Sequence, residues 1–158
     1  MSVFDGMKGA LPSGRIAVIA SRYNESICDA MLQGAVSTLQ EAGLTDEQLI
    51  VVRVSGAWEL CWATAEVFQA ADVLGAVVLG AVIKGETTHD EHINRAVSCS
   101  LMEQSVQAGK PLGFGLLTCN TVDQALQRSG GNVGNKGCEA AEAVLECLRL
   151  RENMVTSL

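Results

Sequence analysis

Apolar residues along the chain fall into four short runs, at positions 15–21, 49–55, 76–83 and 111–118. The apolar residues in each run are mostly consecutive instead of alternating with polar residues, which is typical of strands that are covered on both faces. Segments with helical spacing separate the runs, and strands that alternate with helices form right-handed βαβ units. The pattern therefore predicts an α/β fold of three layers, a four-stranded parallel sheet flanked by helices on both faces.

Helical segments are visible as apolar residues that recur every three or four positions. One repeat ends before Gly43 and another ends before Gly109 and Pro111, residue types that commonly terminate helices. The apolar positions are Ile27, Met31, Ala35 and Leu39 in the first helix, and Ile93, Val97 and Leu101 in the second. A last helix is predicted from about 137 to 150.

Two helix starts carry the spacing of a capping box, a threonine followed three residues later by an acid or an amide. These are Thr88 with Glu91 and Thr121 with Gln124. We expect a single domain over residues 1–158, with an N-terminal arm at 1–14 and a flexible tail at 151–158.

The composition supports one domain with its own core, since 48% of the 158 residues are apolar. A formal charge of −7 argues against a nucleic-acid surface, which needs clustered Lys and Arg. No apolar run reaches the ~18 residues that a membrane span requires. Six scattered cysteines without a C-x-x-C pair predict buried free thiols. Because no secretory signal is visible either, we expect a protein of the reducing cytoplasm.

Candidate chemistry is expected after the strands, because open α/β sheets bind ligands beyond the carboxyl ends of their strands. The segments in those places are RYNES at 22–26, GAWEL at 56–60, GETTH at 85–89 and CNTVDQ at 119–124.

The GETTH segment joins a glycine to the start of a helix. The backbone amides of Glu86 and Thr87 would point toward an anion at the positive end of that helix. The Glu86 carboxylate would have to turn away from a bound phosphate. A phosphate site and a plain strand-to-helix turn that starts at Thr88 are therefore both open.

His89 lies at the first position of the same helix. A histidine beside an anion-binding turn could donate or accept a proton, although an exposed capping histidine would look the same in sequence. His92 completes an H-x-x-H pattern, but no third ligand follows at metal spacing. We therefore predict no metal site.

Aromatic residues follow the first two strands. Tyr23 could stack on a planar ligand or cover the top of the first helix, and Asn24 is expected to cap that helix. Trp58 and Glu59 could line a ring or polyol pocket. Glu59 could equally be an acid at the N-terminus of a helix.

Arg128 precedes a glycine-rich loop that also carries Lys136. The loop follows a helix and matches neither of the glycine-rich nucleotide motifs, so nucleotide binding is not indicated. A guanidinium group in an acidic chain suits a phosphate, but a surface ion pair is a common alternative for Arg128.

Five motifs in this order resemble the lumazine synthase family. They are RYNESI, SGAWEL, LGAVIKGETTH, GFGLLT and QAL-R-SG-N-GNKG-EAA, and the similarity extends from about Arg15 to Leu150. The resemblance implies a flavodoxin-like sandwich and a homopentamer whose active sites are shared between neighbouring subunits.

The resemblance also implies a transferase of riboflavin biosynthesis. The family condenses 5-amino-6-(D-ribitylamino)uracil with 3,4-dihydroxy-2-butanone 4-phosphate. It forms 6,7-dimethyl-8-ribityllumazine, phosphate and water, which is the penultimate step of the pathway. Neither a metal nor an organic cofactor is expected.

Residue roles follow from the same resemblance. His89 would transfer protons, Tyr23 would stack on the pyrimidine, and Phe114 would come from the adjacent subunit as a wall of the ring pocket. By position, Ala57, Trp58 and Glu59 match the ribityl and ring segment, and Ala81, Val82 and Ile83 match backbone contacts to the pyrimidinedione. Phosphate binding is expected from Glu86, Thr87 and Arg128, with Lys136 nearby.

The chain departs from the family pattern at several of these positions. Tyr23 and Trp58 stand where phenylalanine is the usual bacterial residue, so stacking should survive. Asp90 and His92 stand where the family often has aromatic residues, which adds charge beside His89.

Assembly beyond the pentamer is also suggested by the resemblance. Because no insertion interrupts the GGNVGNKG bend, an icosahedral shell of sixty subunits is compatible with the sequence, with Pro12 in the arm as the feature that counts against it. The stretch before Leu11 could add a strand to a neighbour's sheet. Association with riboflavin synthase is a further expectation.

Two other functions stay open. A non-catalytic binding or shell protein could keep the same fold and pocket, although the joint presence of His89, Arg128 and Glu59 argues against it. A flavodoxin-like electron carrier would need a hydroxyl-rich first loop for the FMN phosphate, and RYNES does not supply one.

Overall fold

Four parallel strands form the central sheet of the computed structural model, which describes residues 1–157. The strands are β1 (Arg15–Ser21), β2 (Leu49–Val54), β3 (Val73–Ile83) and β4 (Leu112–Cys119), and their order across the sheet is β2-β1-β3-β4. The predicted parallel sheet of four strands is confirmed. β3 begins three residues before its predicted start, because Val73 is buried and pairs with Arg15 at the start of β1.

Five helices cover the sheet within residues 1–157, as predicted for three layers. They are α1 (Glu25–Glu41), α2 (Glu59–Phe68), α3 (His89–Ala108), α4 (Val122–Arg128) and α5 (Lys136–Val155). α1 and α5 pack on one face of the sheet, and α2 and α3 pack on the other. A short hairpin of β5 (Ser129–Gly131) and β6 (Gly134–Asn135) leads into α5. No helix within residues 1–157 is long and apolar enough to cross a membrane.

The core consists of two apolar layers, one on each side of the sheet. Side chains of β1 alternate between them, so that Ile16 and Val18 face α1 and α5 whereas Ala17 and Ile19 face α2 and α3. All four side chains are at most 1% exposed. The continuous apolar run of β1 is therefore explained by helices on both sides.

The predicted capping boxes are only partly formed. The Thr88 side chain makes no capping bond, so the box with Glu91 is absent. The Thr121 side chain accepts the amide of Gln124 at 3.2 Å, but the Gln124 side chain accepts the amide of Asn120 instead of the Thr121 amide. Sequence spacing identified both helix starts correctly and overstated the reciprocal bonding at each.

The predicted flexible tail is largely helical. α5 continues through Val155, past the predicted end at 150, and Leu158 lies outside the described residues. The Asn153 side chain donates to the carbonyl oxygens of Asp5 and Lys8 at 2.9 and 3.0 Å. The N-terminal arm therefore lies against α5 of its own chain, and its described residues form no strand.

The six cysteines are all unpaired, which confirms the prediction of free thiols. They are not all buried, because Cys99 and Cys147 are exposed on the outer surfaces of α3 and α5. Cys28 is fully buried, and burial raises the pKa of its thiol from 9.0 to about 11. Its Sγ donates to the carbonyl of Tyr23 at 3.2 Å.

The raised pKa predicts how Cys28 affects stability in alkaline solution. The folded thiol stays neutral while the thiol of the unfolded chain ionises above pH 9.0, so its stabilising contribution is present below pH 9 and is lost as the pH rises toward 11. Urea unfolding between pH 8 and pH 10.5 should therefore show a smaller loss of stability in Cys28→Ala than in the native chain. Cys147→Ala, which removes an exposed thiol, should behave like the native chain, and an equal loss in all three would contradict the assignment.

Close packing of α5 on α1 depends on Gly137. A Cβ added there would lie 1.9 Å from the carbonyl oxygen of Met31, so one helix backbone would have to move. We expect Gly137→Ala to lower the free energy of unfolding by about 2 kcal/mol in urea titrations.

Gly85→Ala is the matched control, because an added Cβ at Gly85 meets no atom within 4 Å. Its unfolding midpoint should equal that of the native chain. A Gly137→Ala variant as stable as Gly85→Ala would show that the packing of α5 on α1 tolerates a methyl group.

Candidate active site

A pocket of about 260 Å³ lies at the carboxyl edge of the sheet, beyond β1 and β3. We call it the His89 pocket. Its walls come from the residue Tyr23 after β1, the end of β3, the turn after β3 and the first residues of α3. The lining residues are Tyr23, Ala81, Val82, Ile83, Gly85, Thr87, His89, Asp90 and Ile93. The chain therefore brings six residues that the sequence assigned to the site around one pocket: Tyr23, Ala81, Val82, Ile83, Thr87 and His89.

The turn between β3 and α3 offers free backbone amides. The Lys84 amide closes the strand by donating to the carbonyl of Cys119 at 2.8 Å. Within the described residues, the next four amides, from 85 to 88, donate to no protein acceptor. Their residues precede the positive end of a 20-residue helix. Such an array can receive a phosphate or another anion without a basic cluster.

His89 begins α3 and is exposed to solvent. Its backbone amide donates to Oγ1 of Thr87 at 3.4 Å, and its side chain lines the pocket. A proton donor or acceptor at this position reaches both the open volume and the turn with the free amides. The ring makes no hydrogen bond with another described residue, so it is available to a ligand.

Tyr23 stands at the exit of β1 with 72% of its surface exposed. Its amide is fixed by the carbonyl of Ser55 and by Oγ of Ser21, each at 3.1 Å. The backbone is therefore held while the ring remains free to stack on a ligand. Its high exposure does not fit the alternative that the ring covers the top of α1.

Asn24 has a role that its position in the sequence did not predict. Its side chain does not cap α1, and its backbone has a φ of 56°, which asparagine tolerates better than most residues. Nδ2 donates instead to the carbonyl of Ala81 at 2.8 Å. Asn24 thereby ties the start of α1 to the end of β3. One lone pair of the Ala81 carbonyl is consequently already in use.

A second opening of about 360 Å³ lies between α2 and α3. We call it the tryptophan groove, because Trp58 and Trp62 are 61% and 67% exposed on its wall. Glu59, also in its lining, is the first residue of α2, so it is an N-terminal helix acid and a groove residue at once. Ala57 packs beneath, on the core layer of α2 and α3.

Phe114 lies in a third opening, of about 340 Å³, between α3 and β4. In this Phe114 groove the ring is 44% exposed, beside Met102 and Val106. Phe114 does not line the His89 pocket of its own chain.

Arg128 forms no ion pair with the carboxylates of residues 1–157, so the alternative of a surface ion pair is not seen. One guanidinium nitrogen donates to the carbonyl of Gln124 at 3.0 Å. Burial raises the pKa of the Cys119 thiol, and the nearby charge of Arg128 opposes that rise. Since Cys119 is paired with Ile83 at the ends of β4 and β3, Arg128 lies near the edge that carries the pocket.

Lys136 and Glu86 stand apart from this arrangement. Lys136 is the first residue of α5 and forms an ion pair with Glu139, three residues further along the same helix. Glu86 is exposed and does not contribute to the lining of the His89 pocket, either through its side chain or through its backbone. No group of three His, Cys, Asp or Glu side chains in the described chain is placed to hold a metal.

Asn24 and Asp90 are the residues near the pocket that sequence reasoning missed. Asn24 was assigned to a helix cap, and only its left-handed backbone and its bond to Ala81 reveal the link. Asp90 was noted as an unusual charge, and only the pocket lining shows that it forms part of the wall.

Comparison with known proteins agrees with this architecture. The family model described as 6,7-dimethyl-8-ribityllumazine synthase matches residues 13–152. A protein of this name from Rhodopirellula baltica is 65% identical over 154 residues, which cover 98% of this chain and 99% of that protein. Proteins of the same name from Nitratidesulfovibrio vulgaris and Aquifex aeolicus are 39% and 33% identical, over 89% and 98% of this chain and 90% and 99% of their own lengths.

The family match spans nearly the whole sandwich, from the end of the arm to the last turns of α5. The chain therefore belongs to the 6,7-dimethyl-8-ribityllumazine synthase family, transferases of riboflavin biosynthesis.

Proposed function

We propose that the family's condensation takes place in the His89 pocket, between 5-amino-6-(D-ribitylamino)uracil and 3,4-dihydroxy-2-butanone 4-phosphate. The observation that carries this proposal is the convergence of an exposed aromatic ring, a histidine and a turn of unpartnered amides on one opening. The aromatic ring suits a pyrimidine, the histidine suits proton transfer, and the turn of free amides suits a phosphate.

The phosphate substrate binds to the turn after β3. The free amides of Glu86 and Thr87 and the positive end of α3 hold the phosphate. In this proposal the carboxylate of the exposed Glu86 turns away from the phosphate. Arg128, which has no carboxylate partner among the described residues, adds the guanidinium charge. Together these groups stabilise the phosphate as it leaves.

The pyrimidine substrate lies against Tyr23, with the backbone of Ala81, Val82 and Ile83 along its edge. The ribityl chain extends toward Trp58 and Glu59 in the tryptophan groove, above Ala57. Its hydroxyl groups suit the Glu59 carboxylate, and the indole of Trp58 covers the apolar side of the chain.

The chemistry needs orientation and proton transfer more than a strong protein nucleophile. A primary amine attacks the ketone and water is lost as the imine forms. Phosphate then leaves, and the second amine closes the ring on the remaining carbonyl with loss of a second water. His89 is within the pocket to move protons in these steps. Holding the amine close to the ketone supplies much of the remaining acceleration.

A second copy of the chain completes the site. Phe114 does not line the His89 pocket of its own chain, yet its ring is exposed on an apolar groove. Phe114 of a neighbour covers the ring substrate. Exposed apolar surfaces of this kind mark protein interfaces.

The positions of the two apolar grooves favour a ring. The tryptophan groove and the Phe114 groove flank α3 on opposite sides, so one copy presents α2 and α3 where the next presents α3 and β4. Contacts between unlike surfaces are heterologous, and such contacts form a ring when the rotation between successive copies closes. We take the ring to be the homopentamer of the resemblance, with the icosahedral shell of sixty subunits as its further assembly.

The cellular setting follows from the thiols and the charge. Six unpaired cysteines suit a reducing cytoplasm, and the net charge of −7 disfavours nucleic acid and anionic membranes as partners. Riboflavin synthase is the partner enzyme in this proposal, because it would use the lumazine product.

The roles of His89 and Arg128 predict different kinetic defects. His89→Ala should lower kcat by about a hundredfold and leave KM for both substrates within a fewfold, because it removes proton transfer. Arg128→Ala should raise KM for the phosphate substrate by about tenfold, because it removes a charge-assisted contact. Steady-state assays of lumazine fluorescence and phosphate release measure both effects.

Glu91→Ala is the control, because Glu91 is exposed in the same first turn of α3 and does not line the pocket. It should retain native rates. Native rates in both His89→Ala and Arg128→Ala would refute the site, and no turnover by the native protein above the spontaneous reaction would refute the function.

Ring formation predicts that a charge in the Phe114 groove dissociates the assembly. Val106 is 76% exposed near the end of α3, so Val106→Lys should leave the fold intact and place a charge in the interface. Sedimentation should show a species smaller than the native one. Val155→Lys, at a valine that is 71% exposed near the end of α5, should keep the native mass. Equal masses for all three proteins would rule out this groove as an interface.

A further inference from the structure

Asp90 is a charged residue of the His89 pocket that the roles above leave unused. It lies on the first turn of α3, next to His89, and its side chain is half-buried in the pocket wall. Its Oδ1 has no contact with water and accepts no hydrogen bond from the part of the chain described. None of the three ion pairs formed by residues 1–157 includes it.

A carboxylate oxygen that has neither water nor a hydrogen-bond donor is costly. Removing an ionised group from water without a hydrogen-bond donor lowers stability, and native proteins rarely leave such groups unpaired. A buried polar group without a partner in a native structure calls for an explanation, such as a catalytic role or a bound water or ion. One turn along the same flank of α3, Oδ1 of Asn94 is also buried without a partner.

The missing partner must be a hydrogen-bond donor. A phosphate is excluded because it carries the same sign of charge as Asp90. The pocket also contains the turn at Gly85 and Thr87, where the phosphate substrate is proposed to bind, so its ketone carbon would lie between that turn and Asp90. The donor that has to approach this carbon is the primary amine of the pyrimidine substrate.

We propose that the Asp90 carboxylate accepts a hydrogen bond from this primary amine and so positions it for attack. This inference rests on the proposed function of the pocket. One N–H donates a hydrogen bond to the carboxylate while the nitrogen lone pair faces the ketone. This arrangement lowers the entropy cost of orienting the amine for attack. Asp90 is thus a substrate-binding residue that sets the direction of the nucleophile.

The lumazine product provides a sharp comparison. The primary amine of the substrate becomes a ring nitrogen of the product without a hydrogen, whereas the ring carbonyls and the ribityl chain are retained. Asp90 should therefore discriminate between the two ligands. A residue that merely shapes the pocket would affect both of them alike.

The test measures binding of each ligand to the intact assembly. Calorimetry with the aminopyrimidine alone and fluorescence titration with the lumazine should show that Asp90→Ala weakens the first by about ten- to a hundredfold and changes the second by less than twofold. Asp90→Asn should lie between, because its carbonyl still accepts a neutral hydrogen bond. Glu91→Ala, with its exposed carboxylate in the same turn, should bind both ligands as the native protein does.

Two results would overturn the assignment of Asp90. One is an unchanged affinity of Asp90→Ala for the aminopyrimidine. The other is an equal loss for both ligands, which with a lowered unfolding midpoint would indicate a structural residue. If the native protein binds neither ligand, the proposed function itself fails, and the role of Asp90 falls with it.

Discussion

Parallel pairing of β1 with β3 at the centre of the sheet is the constraint on which the rest of this molecule depends. Because both strands run in the same direction, the residues after each of them emerge at one edge. Tyr23 follows β1 and His89 lies six residues after β3, and they meet at one pocket. The bond from Asn24 to the carbonyl of Ala81 locks these two strand ends together.

The sheet could be predicted from sequence because its signal is long and redundant. The apolar run of β1 predicts a central strand, and every residue from Ile16 to Ser21 is indeed buried in the structure. Elements that depend on contacts between distant residues were harder to predict from the sequence. The end of α5 was expected to be a flexible tail, whereas Asn153 binds carbonyl groups of Asp5 and Lys8, almost 150 residues away in sequence.

The candidate site also has features that the sequence predicts and features that only the structure reveals. Motif order alone located Tyr23, His89 and the turn after β3, since each follows a strand whose direction is fixed by the fold. Which groups lack partners could not be derived from sequence, because hydrogen bonding depends on three-dimensional neighbours. The free amides of the turn and the unpartnered Oδ1 of Asp90 became visible only in the structure. These unfilled groups are also the clearest indication of what a ligand must supply.

We propose that one chain holds an incomplete site, since Phe114 and the His89 pocket of the same chain open into separate cavities. Turnover per chain and sedimentation should therefore be measured on the same samples across a dilution series. We predict that activity disappears together with the proposed pentamer and that single chains of 16.6 kDa are inactive. Full specific activity at the mass of one chain would contradict the account.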